Sequence, residues 1–103
     1  MSLDAAQRAA TRIELTENLA RSGRTREQVA ADLGIGRDRL DATLRLEPDV
    51  SPVDVWALRD LLTTVVPAAG RDLAPWSVLT DQARAMATAW FPLPTVATAG
   101  GHR

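Results

Sequence analysis

The sequence predicts an all-α domain of five helices, and three observations lead there. Apolar residues recur at spacings of three and four through most of the 103 residues, and no segment alternates with the period of two that a half-buried strand requires. The joints between these runs carry helix punctuation at Gly23, Thr25, Gly34, Gly36, Ser51-Pro52 and Thr80. The length suits a single domain, which at this size buries about two-thirds of its unfolded surface and needs no staples.

Each helix has its own justification. From Asp4 to Arg21, Ala9, Ile13, Leu15, Leu19 and Ala20 fall mostly at helical spacing, and Gly23 supplies a left-handed C-terminal cap. Thr25 and Gln28 form a capping box that starts a second helix at Arg26, with Val29, Ala30 and Leu33 inward and Gly34 as its stop. A third helix begins after Gly36 at its N-cap, with Leu40, Leu44 and Thr43 inward, and Glu47-Pro48-Asp49 ends it. Ser51-Pro52-Val53-Asp54 restarts the chain with a serine cap, proline at the first helical position and a carboxylate near the positive dipole end. The fourth helix then presents Val55, Trp56, Leu58, Leu62, Val65 and Val66 as the central core face, and Pro67–Gly70 closes it. Residues 71–79 contain Pro75 and no helical period, so they read as a loop pinned by Trp76 and Leu79. Thr80 caps a fifth helix with Ala83, Met86, Ala87 and Trp90 on its inner face, ended by Pro92 and Pro94. Residues 1–92 therefore make one helical domain, and residues 93–103 a flexible, disordered tail.

Composition narrows the chemistry. All 12 basic residues are arginine, against 13 carboxylates, one histidine (His102) and no cysteine. The absence of cysteine excludes disulfides, thiolate metal sites and a cysteine nucleophile, and one histidine leaves no His-rich metal site or Ser–His relay. No GxxxxGK, HExxH or GxSxG segment occurs. The carboxylate pairs Glu14/Glu17, Asp38/Asp41 and Asp49/Asp54 read as solvated faces or caps, and Trp56, Trp76 and Trp90 as core. The expectation is a non-enzymatic protein with no cofactor, metal or small-molecule ligand. No apolar run approaches the ~18–20 residues of a bilayer span, and Met1-Ser2-Leu3-Asp4 shows neither a basic nor an apolar leader, so a soluble, cytoplasmic protein is expected. Charge is uneven: net +2 over residues 1–26, −1 over 27–45 and −4 over 46–81.

The second and third helices, at about 26–33 and 37–46, carry the functional signal. The stretch from Thr25 to Leu40 resembles the helix-turn-helix of small bacterial repressors: small Ala30 where the helices cross, Gly34 at the turn, apolar Ile35 after it and aliphatic Leu40 five positions on. Two positions depart from that pattern. Thr43 stands where an aliphatic residue is usual, with Leu44 able to replace it by a slight rotation, and Gly36 stands where serine or threonine is commoner. Over residues 1 to about 93 the chain also resembles a small bacterial family catalogued as domain of unknown function 2316. That resemblance is carried by Ala9-Ala10-Thr11-Arg12, Ala30-Ala31-Asp32-Leu33-Gly34, Asp54-Val55-Trp56-Ala57-Leu58-Arg59-Asp60 and Trp76-Ser77-Val78-Leu79-Thr80. It implies a repressor-like helical fold and imports no substrate, ligand or target.

A helix-turn-helix docked in the usual way would turn Gly36, Arg37, Asp38, Asp41, Ala42 and Arg45 toward the major groove, and Arg26 toward a phosphate. Arg37 suits a bidentate contact to guanine, Ala42 a thymine methyl, and Arg21, Arg24 and Arg26 cluster near the first joint where backbone contacts belong. Against this, residues 25–45 hold four arginines and four acids. Such a neutral motif gains little from phosphate neutralisation and needs a homodimer on double-stranded DNA to bind well. Asp38 and Asp41 also fit a simpler role, pairing with Arg37 and Arg45 on a solvated surface. Two functions follow: a DNA-binding transcriptional regulator, or a helical interaction or dimerisation module that uses the acidic stretch 46–81 and an apolar patch at Phe91 without binding DNA.

Overall fold

A computed structural model describes residues 3–88, in which the chain is all-helical. The helices are α1 (Ala5–Ser22), α2 (Arg26–Leu33), α3 (Arg37–Arg45), α4 (Pro52–Ala68) and α5 (Asp81–Thr88). The expectations for Trp90, Phe91, Pro92, Pro94, His102 and the tail lie outside the described residues. Among the described residues, no helix is long and apolar enough to cross a membrane.

Helix α1 begins at a capping box in which Asp4 accepts from the Gln7 amide at 2.8 Å and the Gln7 side chain accepts from the Asp4 amide at 3.0 Å. It ends at Gly23 with φ 72°. Its buried stripe is Thr11, Leu15, Asn18, Leu19 and Ser22. This corrects the apolar reading of the helix: Ile13 is 68% exposed and Ala20 is exposed too. Ile13 stands two positions from Leu15, about 200° around the helix, so the two cannot share a face. Polar residues complete the inner stripe because their hydrogen bonds close locally. The Thr11 hydroxyl donates to the Gln7 carbonyl at 2.8 Å and the Ser22 hydroxyl to the Leu19 carbonyl at 2.6 Å.

Helix α4 is the central element and packs mainly against α1. Ser51 accepts from the Val53 amide at 3.2 Å, Pro52 occupies the first turn, and Val55, Trp56, Leu58, Leu61, Leu62 and Val66 are buried. The helix runs through Pro67 and closes at Gly70, φ 77°. Leu40, Leu44, Val29 and Ala30 complete the same core from α2 and α3. Thr43 keeps its inward position beside Leu44, with its hydroxyl donating to the Arg39 carbonyl at 2.8 Å, so no rotation of α3 is required.

The loop after α4 is tied down by α1. Buried Asn18 makes a two-way bond with the Ala74 backbone, donating at 3.1 Å and accepting at 2.8 Å. Glu14 accepts from the Ser77 amide at 3.0 Å and its hydroxyl at 2.6 Å, and Arg21 donates to the Asp72 carbonyl at 2.9 Å. Glu14 is thus a loop anchor rather than a solvated carboxylate, whereas Glu17 pairs with Arg21 on the surface at 2.9 Å. Leu79 is fully buried, and the Trp76 indole donates to Thr63 Oγ1 at 3.0 Å. Thr80 caps α5 by accepting from the Ala83 amide at 3.1 Å. Met86, expected inward, is 62% exposed, because among the described residues α5 meets the core through small, half-buried Ala83 and Ala87.

Sequence reasoning missed Arg59, which is 4% exposed at the middle of α4. Its guanidinium donates to the Leu79 carbonyl at 2.9 Å, to Asp60 at 3.0 Å and to Asp81. It lies 5.9 Å from the Trp56 ring centroid and 6.0 Å from that of Trp76, within cation–π range. One buried cation therefore joins α4, the loop and the start of α5. Replacing Asn18 with alanine is expected to orphan the buried Ala74 N–H and C=O and to lower unfolding free energy by about 1–3 kcal/mol, measured by urea denaturation. Arg59→Ala takes the donor from the Leu79 carbonyl and leaves Asp60 to Arg84, which bonds it at 2.7 Å, and should cost about 1–3 kcal/mol on the same assay.

Candidate nucleic-acid interface

Helices α2 and α3 are separate rods joined by Gly34-Ile35-Gly36. Thr25 caps α2 in a reciprocal box with Gln28, at 3.1 and 2.9 Å. The chain leaves α2 through Gly34 at φ 71°, where the Gly34 amide donates to the Ala31 carbonyl at 3.1 Å and the Ile35 amide to the Ala30 carbonyl at 3.0 Å. A side chain at Gly34 would meet nothing within 4 Å, so glycine is required here by the left-handed backbone alone. Gly36 is the N-cap of α3 as expected, in an extended conformation and without a side-chain cap bond.

The predicted residues sort into three groups. Arg26, Arg37 and Asp41 are brought together: Arg26 Nη1 donates to Asp41 Oδ1 at 2.9 Å and Arg37 Nε donates to the same oxygen at 3.2 Å. Arg37 also pairs with Glu27 of α2. Gly36 and Asp38 are exposed at the start of α3, where Asp38 faces the positive end of the helix dipole and, among the described residues, makes no ion pair. Ala42 and Arg45 lie further along. Ala42 lines a shallow depression with Arg39, Asp49, Val50, Ser51 and Asp54, while Arg45 borders a groove against α1. The pairing of Arg45 with an aspartate of α3 does not occur. Arg45 pairs with Glu47 instead, at 2.7 Å, because the left-handed turn at Leu46 brings that carboxylate back beside it.

Arg39 was not among the expected site residues. It grips Asp54 with two bonds of 2.6 and 2.8 Å, fastening α3 to the first turn of α4. Asp54 raises the Arg39 pKa above its ordinary value, first through the hydrogen bond and then through its charge. No short-range pattern could have paired two residues fifteen positions apart across a turn. The C-terminal end of α3 is held by Leu46, whose carbonyl accepts from the Arg8 guanidinium.

Arg26, Arg37, Arg39 and Arg45 each meet a carboxylate of their own chain. Arg24 does likewise with Asp32 at 2.8 Å. Most of these partners are substantially exposed, and pairs of that kind contribute about 0–1 kcal/mol. The exposed pairs can be exchanged at small cost, unlike Arg39–Asp54, whose carboxylate is buried.

Asp41 has the more consequential electrostatics. Its carboxyl is held below the usual range, chiefly by the Arg26 hydrogen bond and further by Arg37, against an opposing push from burial. A depressed folded pKa means stabilisation that is present above the unfolded value of about 3.9 and lost as pH falls through the folded value. The stability gap between the wild type and Asp41→Asn is therefore expected to stay constant above about pH 5 and to shrink below about pH 4, where the unfolded carboxylate takes up its proton before the folded one does. Urea melts across that range measure it. Gly34→Ala should cost about 1–2 kcal/mol through φ alone, with Gly36→Ala as the control at ordinary φ.

No curated protein and no solved structure matches the chain. The model of one family, described as "Uncharacterized protein conserved in bacteria (DUF2316)", matches residues 1–92. The match spans all five helices, and the chain belongs to that family.

Proposed function

We propose that this domain is a DNA-binding transcriptional regulator built on a repressor-like helix-turn-helix, with α2 crossing the DNA backbone and α3 entering the major groove. One observation supports this role above the others. Two short helices are joined through a left-handed glycine, Ala30 and Leu40 are buried in a shared core, and Arg37, Asp38, Arg39 and Arg45 of α3 are exposed. Arg37 would read guanine, Ala42 a thymine methyl, and Asp38 or Asp41 a cytosine amino group, while Arg26 would meet a phosphate. A homodimer on a two-fold operator would compensate for a motif with no net charge, and such a regulator works in the cytoplasm.

A second reading has its own observation. Exposed Ile13 lies with Ala20 and Leu44 along the groove between α1 and α3, edged by Arg12, Thr16, Glu17 and Arg45. An apolar residue in such a groove suits a helical interaction or dimerisation module that needs no DNA.

Fluorescence anisotropy with a random-site duplex pool separates the two. The regulator is expected to bind at low salt and weaken as salt rises, with Arg26→Ala lowering affinity for all sequences and reducing the log–log salt slope by about 1. Arg37→Ala should reduce discrimination among selected sites by about 1–3 kcal/mol. A flat titration of the wild-type protein at low salt rules out the DNA role and leaves the interaction module.

A further inference from the structure

The meeting of Arg26 and Arg37 at one carboxylate oxygen has a chemical meaning of its own. The two guanidiniums come from different helices, eleven positions apart in sequence, and converge on Asp41 Oδ1 at 2.9 and 3.2 Å. Both remain reachable from solvent, with side chains 40% and 44% exposed, while the Asp41 side chain is only 22% exposed beneath them. Guanidinium binds carboxylate and phosphate with the same planar donor geometry. Two guanidiniums focused on one point make an oxyanion site of the kind a phosphate group occupies.

We propose that Arg26 and Arg37 form a phosphate-binding site that Asp41 keeps filled, acting as an internal competitor that an incoming phosphate must displace. Glu27 is a second, weaker competitor, since it pairs with Arg37 from a side chain 70% exposed. With both carboxylates in place the cluster carries no net charge, so a lone phosphate gains little by entering. A phosphate held in register by further contacts gains enough to displace Asp41. The arrangement thus suppresses binding to polyanions in general and reserves the site for a ligand that also fits elsewhere on α3. The site does not depend on the DNA-binding reading. The assignment of its phosphate to a nucleic-acid backbone, rather than to a free phosphate, does rest on it. That assignment places Arg37 on the backbone beside Arg26 instead of on guanine, so that Arg37→Ala then lowers affinity for all sequences and leaves discrimination unchanged.

The test uses the full chain, with inorganic phosphate as the first probe and a random-sequence duplex as the second. Phosphate is titrated against chloride at matched ionic strength, and the response is read from the Arg37 Nε–H resonance and neighbouring amides by NMR. Asp41→Asn is expected to bind phosphate about tenfold more tightly than the wild type, and Arg26→Ala in the Asp41→Asn background to abolish the gain. Asp41→Ser supplies a second uncharged variant should the first fold poorly. A tighter duplex affinity with a steeper salt dependence in Asp41→Asn identifies the phosphate source as nucleic acid. A phosphate gain with no duplex binding by any variant upholds the site and overturns the DNA-binding role. Equal phosphate affinity in the wild type and both Asp41 variants, or a gain that survives Arg26→Ala, overturns the site itself.

Discussion

The interior of this domain contains polar side chains that must be satisfied, and that requirement shapes more of the fold than the apolar core does. Thr11, Asn18, Ser22, Thr43, Asp54 and Arg59 are all buried. Leaving such a group without a partner costs about 1–3 kcal/mol, and more for a charge. Each requirement has a local or long-range solution. Thr11, Ser22 and Thr43 turn to carbonyls of their own helix. Asn18 instead recruits the loop, Asp54 recruits α3 through Arg39, and Arg59 recruits Leu79 and Asp81. A segment without helical period is thereby tied to α1, and the start of α5 is tied to α4 through Arg59.

The surface follows a different logic. With arginine as its only cationic side chain apart from His102, the chain distributes guanidiniums along α1, α2 and α3 and gives those of α2 and α3 carboxylates from α2, α3, α4 and the turn after α3. Planar donors of this type hold a carboxylate directionally, so the pairs orient side chains even where they add little stability. Along α2 and α3 the charges face outward yet cancel locally. Any ligand taken there must win by geometry, not by long-range attraction.

Much of the architecture was legible because its signals are local. Capping boxes at Thr25–Gln28, the serine-proline start at Ser51-Pro52 and the glycines at 23 and 34 act within four residues of themselves, and the helices begin and end where they indicate. Faces were less legible wherever polarity and burial part company. Ile13 and Met86 look like core by type and stand in solvent, while Asn18 and Arg59 look like surface and lie inside. The turn between α2 and α3 could be located from Gly34, but not the partners of the arginines beside it. Whether Arg45 turns back to an aspartate of α3 or on to Glu47 depends on the direction the chain takes after α3, and Leu46 gives no sign of adopting a left-handed φ. Partner choice across fifteen or more residues, as in Arg39–Asp54 and Asn18–Ala74, is a property of packing and has no signature in spacing.

Leu46 itself illustrates a bind that no single replacement resolves. Its backbone, at φ 51° and ψ 51°, is the conformation glycine adopts freely, yet its side chain is 3% exposed and belongs to the same hydrophobic core as Leu40, Leu44 and Val55. Glycine would recover about 1–2 kcal/mol of backbone strain and forfeit about 2–5 kcal/mol of packing. The leucine stays because the second quantity exceeds the first. Improvement at that corner requires two coordinated changes, one to relax the reversal and another to refill the vacated volume from a neighbouring helix, so a search by individual substitutions stalls there.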